Sequence, residues 1–196
     1  MKKVVLLGDS IRLSYWKRVR ELLSDICEVY APDENCAYTL HTIRRAKNWF
    51  AKWGHVDVIH WNNGAWDHHR DAGDGEPLSS PEQYLYLNRR LHRYLAGKGD
   101  KLIWATTTPA GINYREEMVM VDRETWNDEV NLYNEIMVAY MTHHGVEIDD
   151  IHALVWENLE KYICADAFHL SPEGQEAVAQ QVARHIRRAL EEGEGK

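Results

Sequence analysis

The sequence predicts an α/β fold: a parallel five-stranded sheet with helices on both faces. Two observations carry this. Short apolar, β-branched runs alternate along the chain with segments whose apolar residues recur at helical spacing, the pattern of successive βαβ units. One of the runs, residues 56–61, is close to continuously apolar, as a parallel strand covered on both faces must be.

Residues 3–7 read as the first strand, and residues 13–24 as a helix with Leu13, Trp16, Val19, Leu22 and Leu23 turned inward. Residues 26–30 give a second strand, 40–52 a second helix and 56–61 the third strand. The next helix carries three start signals. Ser80 can cap it, Pro81 suits the first helical position, and Gln83 completes a capping box. It ends near Ala96, before Gly97, and residues 101–105 form a fourth strand closed by Thr106, Thr107, Thr108 and Pro109. Asp122 caps a long helix with Trp126, Val130, Tyr133, Met137 and Tyr140 on one face, ending at Gly145. Residues 146–148 make a short fifth strand and residues 152–160 a short helix. Ser171 and Pro172 open a last helix with Ala177, Val178, Val182, Ile186 and Leu190 inward, and the charged tail, residues 191–196, is expected to fray.

The chain's 196 residues suit a single domain spanning 1–196, without internal repeats. A net charge of −8 argues against nucleic acid as a partner, because phosphate binding leaves a basic footprint. No apolar run approaches the roughly 18 residues that cross a bilayer, so no membrane partner is expected. Met1, Lys2 and Lys3 before residues 4–7 resemble the start of a signal peptide, but Gly8-Asp9-Ser10 ends the apolar stretch too early. A cytoplasmic location is the expectation. Three unclustered cysteines, Cys27, Cys36 and Cys164, agree with a reducing compartment and fit neither a disulfide framework nor a metal site. Eight tryptophans and ten tyrosines against two phenylalanines favour rings with a polar edge, which suit stacking on a partly wet ligand or half-buried packing.

In parallel sheets the ligand site lies beyond the carboxyl ends of the strands. Gly8-Asp9-Ser10 follows the first strand there, with the serine at the start of a helix whose N-terminus favours developing negative charge. Alone, such a serine is more often just the helix cap. Near the other end of the chain stands Asp166-Ala167-Phe168-His169, on the loop before the last helix. A nucleophilic serine needs a base within reach, and the base needs an orienting acceptor; an Asp three residues before a His supplies both from one loop.

The conjunction of the two segments resembles the SGNH (GDSL) hydrolases over essentially the whole chain. The resemblance implies a flavodoxin-like three-layer α/β/α sandwich, with Ser10 as nucleophile, His169 as general base and Asp166 as its orienting carboxylate. It also implies an oxyanion hole, for which the Ser10 N–H is one donor. Where the family's second block has a glycine, this chain has Asn35-Cys36-Ala37-Tyr38, so the Cys36 or Ala37 N–H takes that place. Where the third block has an asparagine, alignment on Gly64 puts Trp66, leaving Asn62, and next Asn63, to supply the amide; both also suit a plain turn. The Asn62–Asp67 segment and the three threonines before Pro109 look like the carbohydrate acetylesterase branch of the family. Trp61 and Trp66 are candidates for a substrate wall, with Trp16 better placed as core. His68-His69 and His143-His144 lack any metal-ligand spacing and read as a solvated loop and a helix C-terminus. No metal and no cofactor are expected.

The expected function is thus ester hydrolysis through an acyl-enzyme, with O-deacetylation of small acetylated sugars as first reading. The long polar loop over residues 67–80 is expected to border the acyl or alcohol pocket. A lysophospholipase or thioesterase would want an apolar acyl channel, which a mean hydropathy of −0.55 does not advertise. A non-catalytic carbohydrate-binding α/β module, suggested by Trp66, is the alternative from another class. Oligomeric state is not legible.

Overall fold

In the computed structural model, which describes residues 1–70, 73–116 and 121–193, five strands pair in parallel. They are β1 (Lys2–Leu7), β2 (Cys27–Tyr30), β3 (Val56–Trp61), β4 (Gly99–Ala105) and β5 (Glu147–Asp149), in the spatial order β2-β1-β3-β4-β5. This is the flavodoxin-like order, and its switch point falls between β1 and β3. The loops after these two strands therefore flank the crevice.

Among the described residues, seven helices cover the sheet: α1 (Ser10–Leu22), α2 (Thr39–Trp53), α3 (Pro81–Leu95), α4 (Arg123–His143), α5 (Ile151–Trp156), α6 (Leu159–Tyr162) and α7 (Pro172–Gly193). The period of two along β1 sorts the layers. Val4 and Leu6 pack with Val19 of α1 and Val182 and Ile186 of α7. Val5 and Leu7 pack with Trp49 of α2, Leu91 of α3 and Met137 of α4. Strand β3 is buried on both faces, which is why its sequence reads as nearly continuous.

The Ser80 capping box and the Asp122 cap form as the sequence predicts. Several boundaries differ, β4 beginning two residues early at Gly99 among them. Helix α1 begins at Ser10, not at residue 13, and β5 lies one residue later than predicted. The helix predicted over 152–160 is two, α5 and α6: the Asn158 side chain donates to the Leu154 carbonyl at 3.2 Å, competing with the ladder where the helix breaks. The tail is helical to Gly193, and its last three residues lie outside the described ones. Among the described residues, no helix is long and apolar enough to cross a membrane.

Two buried carboxylates link elements that the sequence separates. Asp149 at the end of β5 bonds His60 of β3 at 2.9 Å, both wholly buried, and accepts from Gln181 of α7 at 2.7 Å. Asp67, in the loop after β3, caps α2 from outside. Tyr38 makes no side-chain cap bond there, and the Asp67 carboxylate instead accepts the Thr39 N–H at 3.0 Å and the Thr39 hydroxyl at 2.9 Å.

Burial pushes the Asp67 carboxyl up to about 7, against the pull of the Thr39 and Ser79 hydrogen bonds. Because its folded pKa lies above the unfolded value, its contribution to stability is full below about pH 4 and disappears as pH rises through about 7. Urea unfolding of wild type and Asp67→Asn between pH 5 and 8 is expected to show a decline in wild type that the variant lacks. Equal slopes would remove Asp67 as its source.

Candidate active site

The turn from β1 into α1 sets the first side chain. Asp9 is the helix cap, its Oδ1 accepting the Ile11 N–H at 2.9 Å, so Ser10 is the first helical residue and its hydroxyl is released from capping. Burial raises the Asp9 carboxyl, opposed by the Ile11 N–H and the Arg12 charge. Gly8 is needed for close approach: a Cβ there would lie 2.8 Å from the Arg12 Cβ. The Ser10 N–H, at the first helical position, has no intrahelical acceptor.

The loop before α7 brings the partners. An antiparallel bridge between Ile163 and Leu170 closes its base, and the Cys164 N–H donates to the His169 carbonyl at 2.7 Å. Ala167 takes a left-handed φ of 66°, and the Gly111 N–H holds its carbonyl at 2.8 Å. Asp166 Oδ1 accepts the Phe168 and His169 N–H groups, each at 2.9 Å, leaving Oδ2 to meet His169 Nδ1 at 2.8 Å. His169 Nε2 lies 2.9 Å from Ser10 Oγ. Burial alone would raise the Asp166 carboxyl, but the two N–H donors and the imidazole more than offset it and hold it below the usual range. Ser10, His169 and Asp166 thus stand in hydrogen-bonding order, the arrangement that lets a hydroxyl give up its proton while attacking an electrophilic carbon.

Beside them opens a cleft of about 190 Å³. Trp66, His69, Trp126 and Phe168 form aromatic walls, and Ile11, Ala65 and Pro109 complete the apolar lining. Trp126 meets Phe168 edge-on at 5.3 Å and the buried His68 ring at 4.1 Å. His68 is wholly buried between Trp126 and Tyr133, which corrects its reading as part of a solvated loop. Burial lowers its pKa and favours the neutral ring. The next turn of the loop is braced to α4 by Arg70, which grips both oxygens of Glu129. Burial raises Glu129, and His68 and Arg70 outweigh it, bringing its pKa to about 2. His68 Nδ1 stands 3.8 Å from that carboxylate, beyond a good hydrogen bond, so Arg70 is the partner that holds the anion.

The four further residues considered for the oxyanion are all engaged elsewhere. The Cys36 N–H donates to the Gly8 carbonyl at 3.1 Å, and the Ala37 N–H to Asn35 Oδ1 at 2.8 Å. The Asn62 amide donates to the Ala105 carbonyl at 2.7 Å and to Thr107 Oγ1 at 3.2 Å. Asn63, wholly buried, donates to Thr42 Oγ1 at 2.9 Å and to the Ala37 carbonyl at 3.2 Å. Using Cys36, Asn62 or Asn63 on a ligand means giving up a bond that ties separate segments together, and using Ala37 means opening the turn that Asn35 closes.

Trp66 reaches the cleft, whereas Trp61 does not. This corrects the second wall candidate: as the last residue of central strand β3, Trp61 points into the α2/α3/α4 layer, fully buried and stacked on His92. Sequence reasoning passed over Thr108, Trp126 and Phe168 as lining residues. Phe168 sits inside the Asp166–His169 segment and was findable there; Trp126 carries only the periodicity of a core residue. Among the described residues, no group of three or more His, Cys, Asp or Glu side chains is placed to hold a metal ion.

No family model matches the sequence, and no curated protein matches it. Solved structures do match in shape. An acetyl xylan esterase superposes with a TM-score of 0.75 at 17% identity, over 94% of this chain and 99% of that one. A lipase/acylhydrolase from Enterococcus faecalis gives 0.75 at 17% identity, over 95% of each chain. A member of the lipolytic G-D-S-L family from Veillonella parvula gives 0.76 at 16% identity, over 96% of this chain and all of that one. The fold is that of the SGNH/GDSL hydrolases. On this SGNH/GDSL frame Ser10 follows the first strand and His169 precedes the last helix, so the two ends of the chain close one site.

The Arg70–Glu129 pair is the brace of the aromatic wall. Glu129→Ala leaves the Arg70 guanidinium mostly buried without its anion and is expected to cost about 2–3 kcal/mol in urea unfolding at pH 7. The wild-type pair's contribution is present above about pH 4.5 and lost only as pH falls through about 2. The gap between wild type and variant should therefore persist at pH 4; a gap that vanishes there contradicts the assignment.

Proposed function

We propose that the chain is a serine carboxylic-ester hydrolase in which Ser10 is the nucleophile, His169 the general base and acid, and Asp166 its orienting carboxylate. The observation that carries this reading is the pair of contacts at 2.9 and 2.8 Å running from Ser10 through His169 to Asp166 at the edge of a cleft. His169 takes the Ser10 proton as Oγ attacks the ester carbonyl, and the tetrahedral oxyanion forms next to the Ser10 N–H at the α1 N-terminus. The imidazolium then protonates the leaving alkoxide. Water attacks the acyl-enzyme in the second half, with His169 again as base.

The preferred substrate is a small acyl ester, with acetylated sugars first. Support comes from the cleft, whose 190 Å³ falls below the roughly 300–1,000 Å³ of pockets for drug-sized ligands. Its indole and phenyl walls suit stacking against a sugar face. One structure of similar shape is an acetyl xylan esterase. A longer-chain lipase or thioesterase is the second reading, favoured by the mostly apolar lining and by the lipase/acylhydrolase of similar shape. A purely binding module would have no use for the order of bonds at Ser10.

Hydrolysis of p-nitrophenyl acetate by wild type and Ser10→Ala tests the reading. The variant is expected to lose at least about 10³-fold in kcat. Equal rates for the two would sink it. A chain-length series with p-nitrophenyl octanoate then separates the substrate readings, and a higher kcat/KM for octanoate would count against deacetylation.

A further inference from the structure

We infer that the Thr108 hydroxyl is the side-chain donor to the oxyanion, occupying the role for which this chain lacks a free asparagine amide. The inference rests on the esterase reading of Ser10. It begins with three consecutive threonines after β4 that fare differently. Thr106 Oγ1 donates to Asp150 at 2.9 Å and accepts the His152 N–H at 2.8 Å. Thr107 Oγ1 accepts from Asn62 at 3.2 Å. The Thr108 hydroxyl bonds to no group among the described residues, and Thr108 lines the cleft together with Ser10 and His169. It also lines a small adjoining gap that shares Asp9 and Ile11 with the cleft, beside Gly8 and Asn62.

The backbone on both sides of Thr108 is clamped. Asn134 of α4 accepts the Thr107 N–H at 2.8 Å and donates to the Thr107 carbonyl at 3.0 Å. Asn127, two turns earlier on α4, accepts the Ala110 N–H at 2.8 Å and donates to the Ala110 carbonyl at 3.3 Å. Pro109 between them restricts the residue before it to extended backbone. An uncommitted hydroxyl on a segment fixed by two amide clamps and a proline is pre-organised, which is the condition for stabilising charge that appears only in the transition state. The competing amides are not available in this way: Asn62 and Asn63 each have two acceptors already.

The test compares wild type, Thr108→Val and Thr108→Ser. Valine keeps the shape and removes the hydroxyl; serine keeps the hydroxyl. Thr108→Val is expected to lower kcat for p-nitrophenyl acetate by about 100-fold with KM changed little, and Thr108→Ser to stay within a few-fold of wild type. A fluorophosphonate probe, whose capture at Ser10 also builds negative oxygen, should label Thr108→Val more slowly by a similar factor. Thermal melts of all three proteins report folding independently. Valine and serine variants that lose activity equally would overturn the inference in favour of packing. So would a valine variant within twofold of wild type, or one altered only in KM. Each of these results leaves the esterase reading standing if wild type is labelled at Ser10. Wild type that neither turns over nor labels overturns the esterase reading, and the inference with it.

Discussion

A buried guanidinium joins the two loops that meet at the nucleophile turn. Arg12 is 1% exposed, and its side chain donates to the Pro32 carbonyl at 2.8 Å, the Glu34 carbonyl at 2.7 Å and, more weakly, the Gly8 carbonyl at 3.3 Å. A charge so far from water needs most of its donors satisfied; both terminal nitrogens are bonded, only Nε lacks a partner among the described residues, and the nearby Asp9 carboxyl feels the Arg12 charge. The geometry of the β1–α1 turn follows from this. Arg12 leaves no room for a side chain at position 8, and the Cys36 N–H returns to the Gly8 carbonyl from the other loop. Glu34 meanwhile points outward to Arg45 and Trp49 of α2. The segment from Pro32 to Cys36 is thus held from inside and outside, and the Cys36 N–H serves the frame.

The opposite bank of the cleft is fixed by other means. The loop after β3 is too long to be held by its ends alone, and it is pinned at three depths. Asp67 ties it to the start of α2 and to Ser79, His68 is packed between rings of α4, and Arg70 reaches Glu129. Helix α4 also places Asn127 and Asn134 on the strand-end loop after β4. One helix therefore positions both the aromatic wall and the threonine segment. The wall's rigidity is a property of α4 more than of the sheet.

This division explains what was legible in the sequence. The strands, the caps at Ser80 and Asp122 and most of the inward helix faces depend on local chemistry and are visible in sequence, although Leu13 and Ala177 stay outside the core and Arg12 and Tyr15 of α1 enter it. The meeting of Ser10 with His169 was legible as well, because any doubly wound sheet gathers its strand ends on one edge. The donors were not. Whether Asn62 faces a ligand or Thr107 is decided by the β3–β4 register, in which Trp61 pairs with Trp104. Whether Trp61 or Trp126 lines the cleft depends on which layer each enters. Trp126 has the spacing of a core residue and is nearly buried, 2% exposed, so its edge on the cleft has no signature in sequence. His68 shows the same limit from the other side: a histidine in a polar run reads as solvated until α4 closes over it.

The cleft is also asymmetric in a way that bears on the second half of the proposed reaction. Aromatic rings close one side of Ser10, whereas the His169 and Asp166 side chains are 48% and 45% exposed. An acyl-enzyme that must be hydrolysed needs water delivered to the imidazole, and an imidazole exposed to this extent meets it without a conformational change. The same open side gives a leaving alcohol of large or irregular shape a way out. A site with its base under the rings would protect an acyl-enzyme from water and favour transfer to another acceptor. With the base in solvent, hydrolysis of the proposed acyl-enzyme is the outcome that this geometry favours.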